Sequence, residues 1–282
     1  MLADVIAEPS LRDLAVAMRT DKEGAHSYTA AYERHLGQLR ERPITLLEIG
    51  IGGYADPGKG GASLRMWKAY FPYAHIIGLD ITDKSALAED RITILCGDQG
   101  DPAFLEDLAT RHGPFDLIVD DGSHRSEHVI TSFRALFPHL RDGGIYAIED
   151  LQTSYWERYG GSSEPNHEGA SMTFLQRLTD GLNYAEFDIP DYEPSYTDRW
   201  VRSISFWHNL AIIEKAPNLE RSNLLPPHPR PNRRYAGHSK SRPGRARRIF
   251  RRLVPLSLRR AVLSAAKRVG STMPGGRRGT GG

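Results

Sequence analysis

The sequence predicts an α/β protein: a doubly wound, Rossmann-like seven-stranded sheet closing in a C-terminal antiparallel hairpin, with an N-terminal helical cap and a basic C-terminal tail. Three observations carry this. Short β-rich apolar runs alternate with amphipathic stretches of roughly ten residues, the pattern of a parallel sheet covered by helices. The first run passes directly into glycines. Several runs carry acids at or near their ends, which puts carboxylates on the edge where open α/β sheets bind ligands.

In chain order, residues 8–40 read as helical, with Leu11, Leu14, Ala15 and Met18 at helical spacing, a break at 21–27 and a second helix over 30–39. The break, DKEGAHSYT, suits either a loop closing over a ligand or a plain interhelical connection. Residues 44–49, ITLLEI, form the first strand and lead into Gly50, Gly52 and Gly53, which let backbone approach a ligand closely. The dinucleotide pattern is met only loosely, by Gly50, Gly52 and Ala55, and Asp56-Pro57-Gly58 interrupts the helix that should hold a pyrophosphate. Glu48, inside the last turn of the strand, repels a pyrophosphate and suits a cationic ligand. The delayed helix follows in GGASLRMWKAYF.

Strand two, 75–81, ends in Asp80, about where an acid grips ribose hydroxyls in nucleotide-binding folds. Strand three, 92–98, ends in Asp98 followed by Gln99, and its Cys96 is expected as buried filler. A helix over 102–111, strand four at 115–119, a helix around 129–140, strand five at 145–148 and a helix over 171–182 continue the alternation. Residues 203–208 and 210–215 are joined so tightly that they must pair antiparallel.

Strands four and five end in Asp120-Asp121 and Glu149-Asp150. Four carboxylates on one rim repel one another unless a cation neutralises them, and oxygen ligands suit a hard ion such as Mg²⁺. His124 lies three residues beyond Asp121. Its i, i+4 partner His128 raises a zinc alternative, but no third nitrogen or sulfur ligand accompanies the pair.

At 282 residues the chain can bury one substantial core. No apolar run is long enough to span a membrane, and acids stand where a secretory signal needs a basic region, so a cytoplasmic protein is expected. The single cysteine excludes an intrachain disulfide framework. The net charge of +2 conceals a division: residues 1–220 hold 20 basic and 35 acidic side chains, whereas residues 221–282 hold 17 basic and none acidic. The expected domains are a cap at 1–42, a catalytic domain at 43–220 and a disordered or amphipathic tail at 221–282. Within that tail, residues 245–269 set apolar side chains among arginines, which fits either an anionic membrane surface or a solvated tail. Nucleic acid is not expected, because the tail lacks interleaved aromatics.

LLEIGIGGYADPGKGGASLRMWKAYFP, GDQGDPAFL, IVDDGSHRSEHVITSFRALFPHLRDGGIYAIEDLQTSYW and the upstream DKEGAHSYTAAYERH resemble the class I S-adenosylmethionine-dependent methyltransferases, and among them the Mg²⁺-dependent macrolide-type sugar O-methyltransferases. The resemblance covers residues 20–220. It implies metal ligands at Asp121, Glu149 and Asp150, a general base at His124, and cofactor contacts from Glu48, Gly50, Gly52, Gly53, Asp80 at the ribose, Asp98 near the adenine, and Gln99. It implies S-adenosyl-L-methionine and Mg²⁺ as cofactors, a small-molecule or glycan acceptor methylated on a sugar hydroxyl, and homo-oligomeric assembly. The chemistry is coherent: a sugar hydroxyl holds its proton far above neutral pH, a metal ion lowers that pKa and an imidazole takes the proton. Tyr155 and Trp156, just after the metal strand, are placed either to stack on a sugar or to pack. The polar stretch 160–169 is a lid or a surface loop. Two rivals stand beside this. An NAD-dependent oxidoreductase would use Gly50, Gly52 and Asp80 but leaves Glu149-Asp150 unexplained, and the tail is consistent with a non-catalytic, membrane-tethered binding protein of the same fold.

Overall fold

The computed structural model describes residues 8–223. The readings of the basic tail from residue 224 onward fall outside the described residues. Seven strands form one sheet in the order β3-β2-β1-β4-β5-β7-β6: β1 (Thr45–Ile49), β2 (His75–Asp80), β3 (Ile92–Cys96), β4 (Phe115–Asp120), β5 (Leu140–Ile148), β6 (Val201–Trp207) and β7 (Leu210–Lys215). β1 to β5 run parallel, and β7 pairs antiparallel with both β5 and β6. The chain winds outward from β1 to β3, then returns to lay β4 on the other side of β1. The resulting switch point between β1 and β4 is where open sheets leave a crevice.

Side-chain alternation sorts the strands onto two cores. Leu46, Leu117, Val119, Ile145 and Ala147 face α1 (Leu11–Met18), α2 (Thr29–Leu36) and α3 (Ala62–Tyr70). Leu47, Ile49, Ile118, Tyr146 and Ile148 face α4 (Pro102–His112), α5 (Ser126–Leu136) and α6 (Ser171–Leu182). Ser10 caps α1 in a reciprocal capping box with Asp13, and Asp101 caps α4 ahead of Pro102, so local chemistry starts both helices where the pattern requires. Asn209, at φ 61, makes the tight turn between β6 and β7.

Three details depart from expectation. β5 begins at Leu140, because Leu140 already pairs with Phe115; the register then shifts past the exposed Arg141–Gly143 before Ile145 pairs with Leu117 and the apolar run starts. A short helix, α7 (Tyr196–Trp200), precedes β6, started by a Ser195–Asp198 capping box that the apolar periodicity does not register. Cys96 is exposed: β3 is the edge strand, so its last residue has no layer above it.

Candidate active site

β1, β4 and β5 end level with one another. The Asp121 amide donates to Ile49 O at 2.9 Å and the Glu149 amide to Asp120 O at 3.0 Å, so Gly50, Asp121 and Glu149 leave the sheet side by side. The alternation that built the cores also directs the acids. Glu48 shares the α1–α3 face with Leu46, and Asp120 shares the opposite face with Ile118. There Asp120 is buried and accepts from Gln99 Nε2 at 2.8 Å and Ser132 Oγ at 2.5 Å, while Gln99 Oε1 accepts the Ser123 amide at 2.6 Å. Asp120 and Gln99 thus brace the rim from beneath, and burial pushes the Asp120 carboxyl up.

The glycine loop is bound closely to the same rim. Gly50, Gly52 and Gly53 all have positive φ, and a Cβ on Gly50 would stand 2.2 Å from the Asp121 carbonyl oxygen. Only glycine allows that approach. Asp80 accepts the Ile51 amide at 3.3 Å through one oxygen and the Thr82 amide at 2.9 Å through the other. Lys84 is buried and donates to Gly52 O at 2.5 Å, Lys59 O at 3.1 Å and Asp56 O at 3.3 Å, fastening the outer part of the loop. Asp98 is exposed and accepts the Gly100 amide at 2.7 Å.

Asp121, His124 and Asp150 each offer a ligand atom within 4.8 Å of the others. His124 and Asp150 have φ of 55° and 54°, a left-handed conformation that non-glycine residues keep only where the surroundings enforce it. Thr153 helps enforce both, its Oγ1 lying 2.9 Å from His124 O and 2.8 Å from Asp150 O. His124 Nε2 stands 3.7 Å from Asp150 Oδ2. His128 turns away to Ser123 Oγ at 3.0 Å and stays outside the group.

Glu149 lies deeper. Its Oε1 accepts from Tyr32 OH at 2.5 Å and from Lys22 Nζ at 2.8 Å. The same ammonium reaches Asp121 Oδ2 at 2.9 Å and Glu48 Oε1 at 3.3 Å. Lys22 is the participant that sequence reasoning missed. The acids' need for a cation was legible, and a lysine stood in the DKEGAHSYT break, but nothing local says that this turn folds onto the sheet edge. One ammonium therefore faces three carboxylates. Burial pushes Glu48 up to about 7 although Lys22 opposes it, and burial followed by the Asp121 charge pushes Glu149 well above the carboxylate range. Burial alone would lower Lys22, but the surrounding carboxylates outweigh it and hold its pKa well above the ordinary value. His26 Nε2 also approaches Asp150, at 3.5 Å from Oδ1, and a cluster dominated by carboxylate oxygens suits a hard divalent cation. Tyr155 and Trp156 are exposed just beyond, with the Arg158 guanidinium 4.9 Å from the Trp156 ring. The stretch 160–169 carries neither helix nor strand and is anchored at its start by the Ser162 amide on Ser154 O at 3.1 Å.

Residues 35–151 match a family model described as a methyltransferase domain. The chain is 50% identical over 211 residues to the 8-demethyl-8-α-L-rhamnosyl tetracenomycin-C 2'-O-methyltransferase of Streptomyces olivaceus, covering 74% of this chain and 56% of that one. It is 49% identical over 217 residues to the demethylmacrocin O-methyltransferase of Streptomyces fradiae, covering 76% and 55%. Among solved structures, the MycE methyltransferase from the mycinamycin biosynthetic pathway, in complex with Mg, SAH and mycinamycin VI, superposes with a TM-score of 0.75 at 44% identity, covering 78% of this chain and 57% of that one. The chain thus spans about half the length of the curated relatives it matches.

Proposed function

We propose, from the premise that this chain belongs through residues 35–151 to the methyltransferase-domain family, that it is a Mg²⁺-dependent enzyme methylating a sugar hydroxyl of a glycosylated small molecule, with S-adenosylmethionine as donor. The observation that carries the reading is the gathering of Asp121, His124 and Asp150 within 4.8 Å, hard against the glycine loop through Gly50. The activities for which the relatives are named, one of them a rhamnosyl 2'-O-methylation, support the acceptor class.

In this reading Asp121, Glu149 and Asp150 hold the metal, and the bound ion supplies the Lewis acidity that makes an alcohol proton removable near neutral pH. The Gly50–Gly53 turn, Asp80 and Asp98 hold the donor, which supplies the methyl group. His124 Nε2 takes the hydroxyl proton and keeps it beside the Asp150 carboxylate, which favours the imidazolium formed. His124 is only partly covered, so an acceptor can reach it. Thr153 holds the backbones of both residues, which keeps the base and the acid in register. Tyr155 and Trp156 offer ring faces to the sugar. The same reading puts the enzyme in the cytoplasm, the compartment that keeps a lone exposed thiol such as Cys96 reduced.

The test is turnover. Purified chain with S-adenosylmethionine and a panel of rhamnosyl and other deoxysugar glycosides should release S-adenosylhomocysteine only with divalent metal present, and stop on chelation. No binding of S-adenosylmethionine or S-adenosylhomocysteine by calorimetry would sink the proposal.

A further inference from the structure

Lys22 has no part in the chemistry just described, yet it stands between the two halves of the site. Resting on the metal-dependent reading above, we propose that Lys22 is a positioning residue whose ammonium ties Glu48, at the root of the glycine loop, to Asp121 and Glu149 on the metal side. Its Nζ meets them at 3.3, 2.9 and 2.8 Å, and its side chain has no exposed surface. Neither Glu48 oxygen accepts a hydrogen bond of regular geometry, and the Lys22 ammonium at 3.3 Å is the cation that opposes the burial of that acid.

The turn carrying Lys22 is built to present it. Glu23 and Ser27 pair across a bridge, the His26 amide donates to Asp21 O at 3.0 Å, and the Tyr28 amide donates to Lys22 O at 3.0 Å. The same segment sends Tyr32 OH to Glu149 at 2.5 Å and Tyr28 OH to Asp150 at 2.8 Å. Every carboxylate assigned to the metal therefore receives a hydrogen bond from residues 22–32, and outer-shell partners of this kind set how ligands are aimed. A purely electrostatic bystander would act in the opposite sense, because a positive charge next to the ligands repels the incoming metal.

The two roles separate in one experiment. Mn²⁺ binding to the full chain is followed by electron paramagnetic resonance of the free ion, with thermal melting measured in parallel. Lys22→Met should remain folded and bind Mn²⁺ roughly 10- to 100-fold more weakly. Lys22→Ala should regain affinity with n-propylammonium, which replaces the lost atoms, and not with n-propanol. Should Lys22→Met fail to fold, Tyr32→Phe, which removes only the second donor to Glu149, should weaken Mn²⁺ binding in the same direction by a smaller factor. Unchanged or tighter Mn²⁺ binding in the folded variants, or equal recovery with the alcohol, overturns the positioning role. Wild-type chain that binds S-adenosylhomocysteine but no Mn²⁺ overturns the metal-dependent reading itself, and this inference with it.

Discussion

Gly50 is the residue through which the donor loop and the metal rim touch, and replacing it with alanine tests whether that contact matters. Two costs follow from the structure. At φ 79, alanine must adopt a left-handed conformation, which costs about 1–2 kcal/mol. Its Cβ would also stand 2.2 Å from the Asp121 carbonyl oxygen, with Gly122 Cα at 2.6 Å, and relieving such overpacking against backbone costs about 1–3 kcal/mol more. Gly143 has the same φ of 79 but nothing within 4 Å of its Cβ position, so Gly143→Ala carries the strain without the collision. For a domain of this size each kcal/mol lowers Tm by roughly 2–4 °C. Gly50→Ala should therefore melt on the order of 10 °C below wild type and Gly143→Ala about 5 °C below it, measured by circular dichroism. Because the collision displaces the backbone of a proposed ligand, Mn²⁺ affinity should fall roughly tenfold in Gly50→Ala only. Equal melting losses in the two variants, or unaltered Mn²⁺ binding in Gly50→Ala, would refute the reasoning.

Three further predictions follow from the same geometry. His124→Ala should lower turnover by about 10²- to 10⁴-fold while leaving S-adenosylhomocysteine binding by calorimetry unchanged; loss of that binding would argue for a structural role instead. Glu48 has a folded-state pKa of about 7 against an ordinary 4.5, so its contribution to stability is complete below about pH 4.5 and is lost as pH rises through 7. Metal-free wild type should therefore lose up to about 3 kcal/mol relative to Glu48→Gln between pH 4.5 and 8 in urea titrations, and a rise of that difference with pH would contradict the burial argument. Thr153→Val removes the hydroxyl between His124 O and Asp150 O, at a cost of about 1–3 kcal/mol; kcat should drop more than KM changes, and an unaltered kcat would remove Thr153 from the positioning scheme.

Much of this was legible along the chain. Apolar alternation located the strands, and the short link before Leu210 made the last two antiparallel. The same period of two explains why Glu48 and Asp120, both at strand ends, face opposite sides of the sheet. Acids ending β4 and β5 located the rim, since residues at the carboxyl ends of neighbouring parallel strands must be neighbours in space. Capping chemistry without apolar periodicity hid α7, and the edge position of β3, which exposes Cys96, depends on strand order rather than on local composition.

What sequence alone determined about this protein was the set of groups and the layer each belongs to, because hydrophobic periodicity is a local property that survives without knowledge of the fold. What only the tertiary structure decided was pairing across long separations. Lys22 lies 99 residues from Asp121 and 127 from Glu149, and no local pattern encodes which buried acid an ammonium will meet. Nor could the chain as a string show that Glu149 sinks beside Lys22 and Tyr32 while Asp150, one residue on, turns out to His124 and Tyr28. That division follows from a left-handed backbone at Asp150, which tertiary packing and Thr153 enforce against its intrinsic preference.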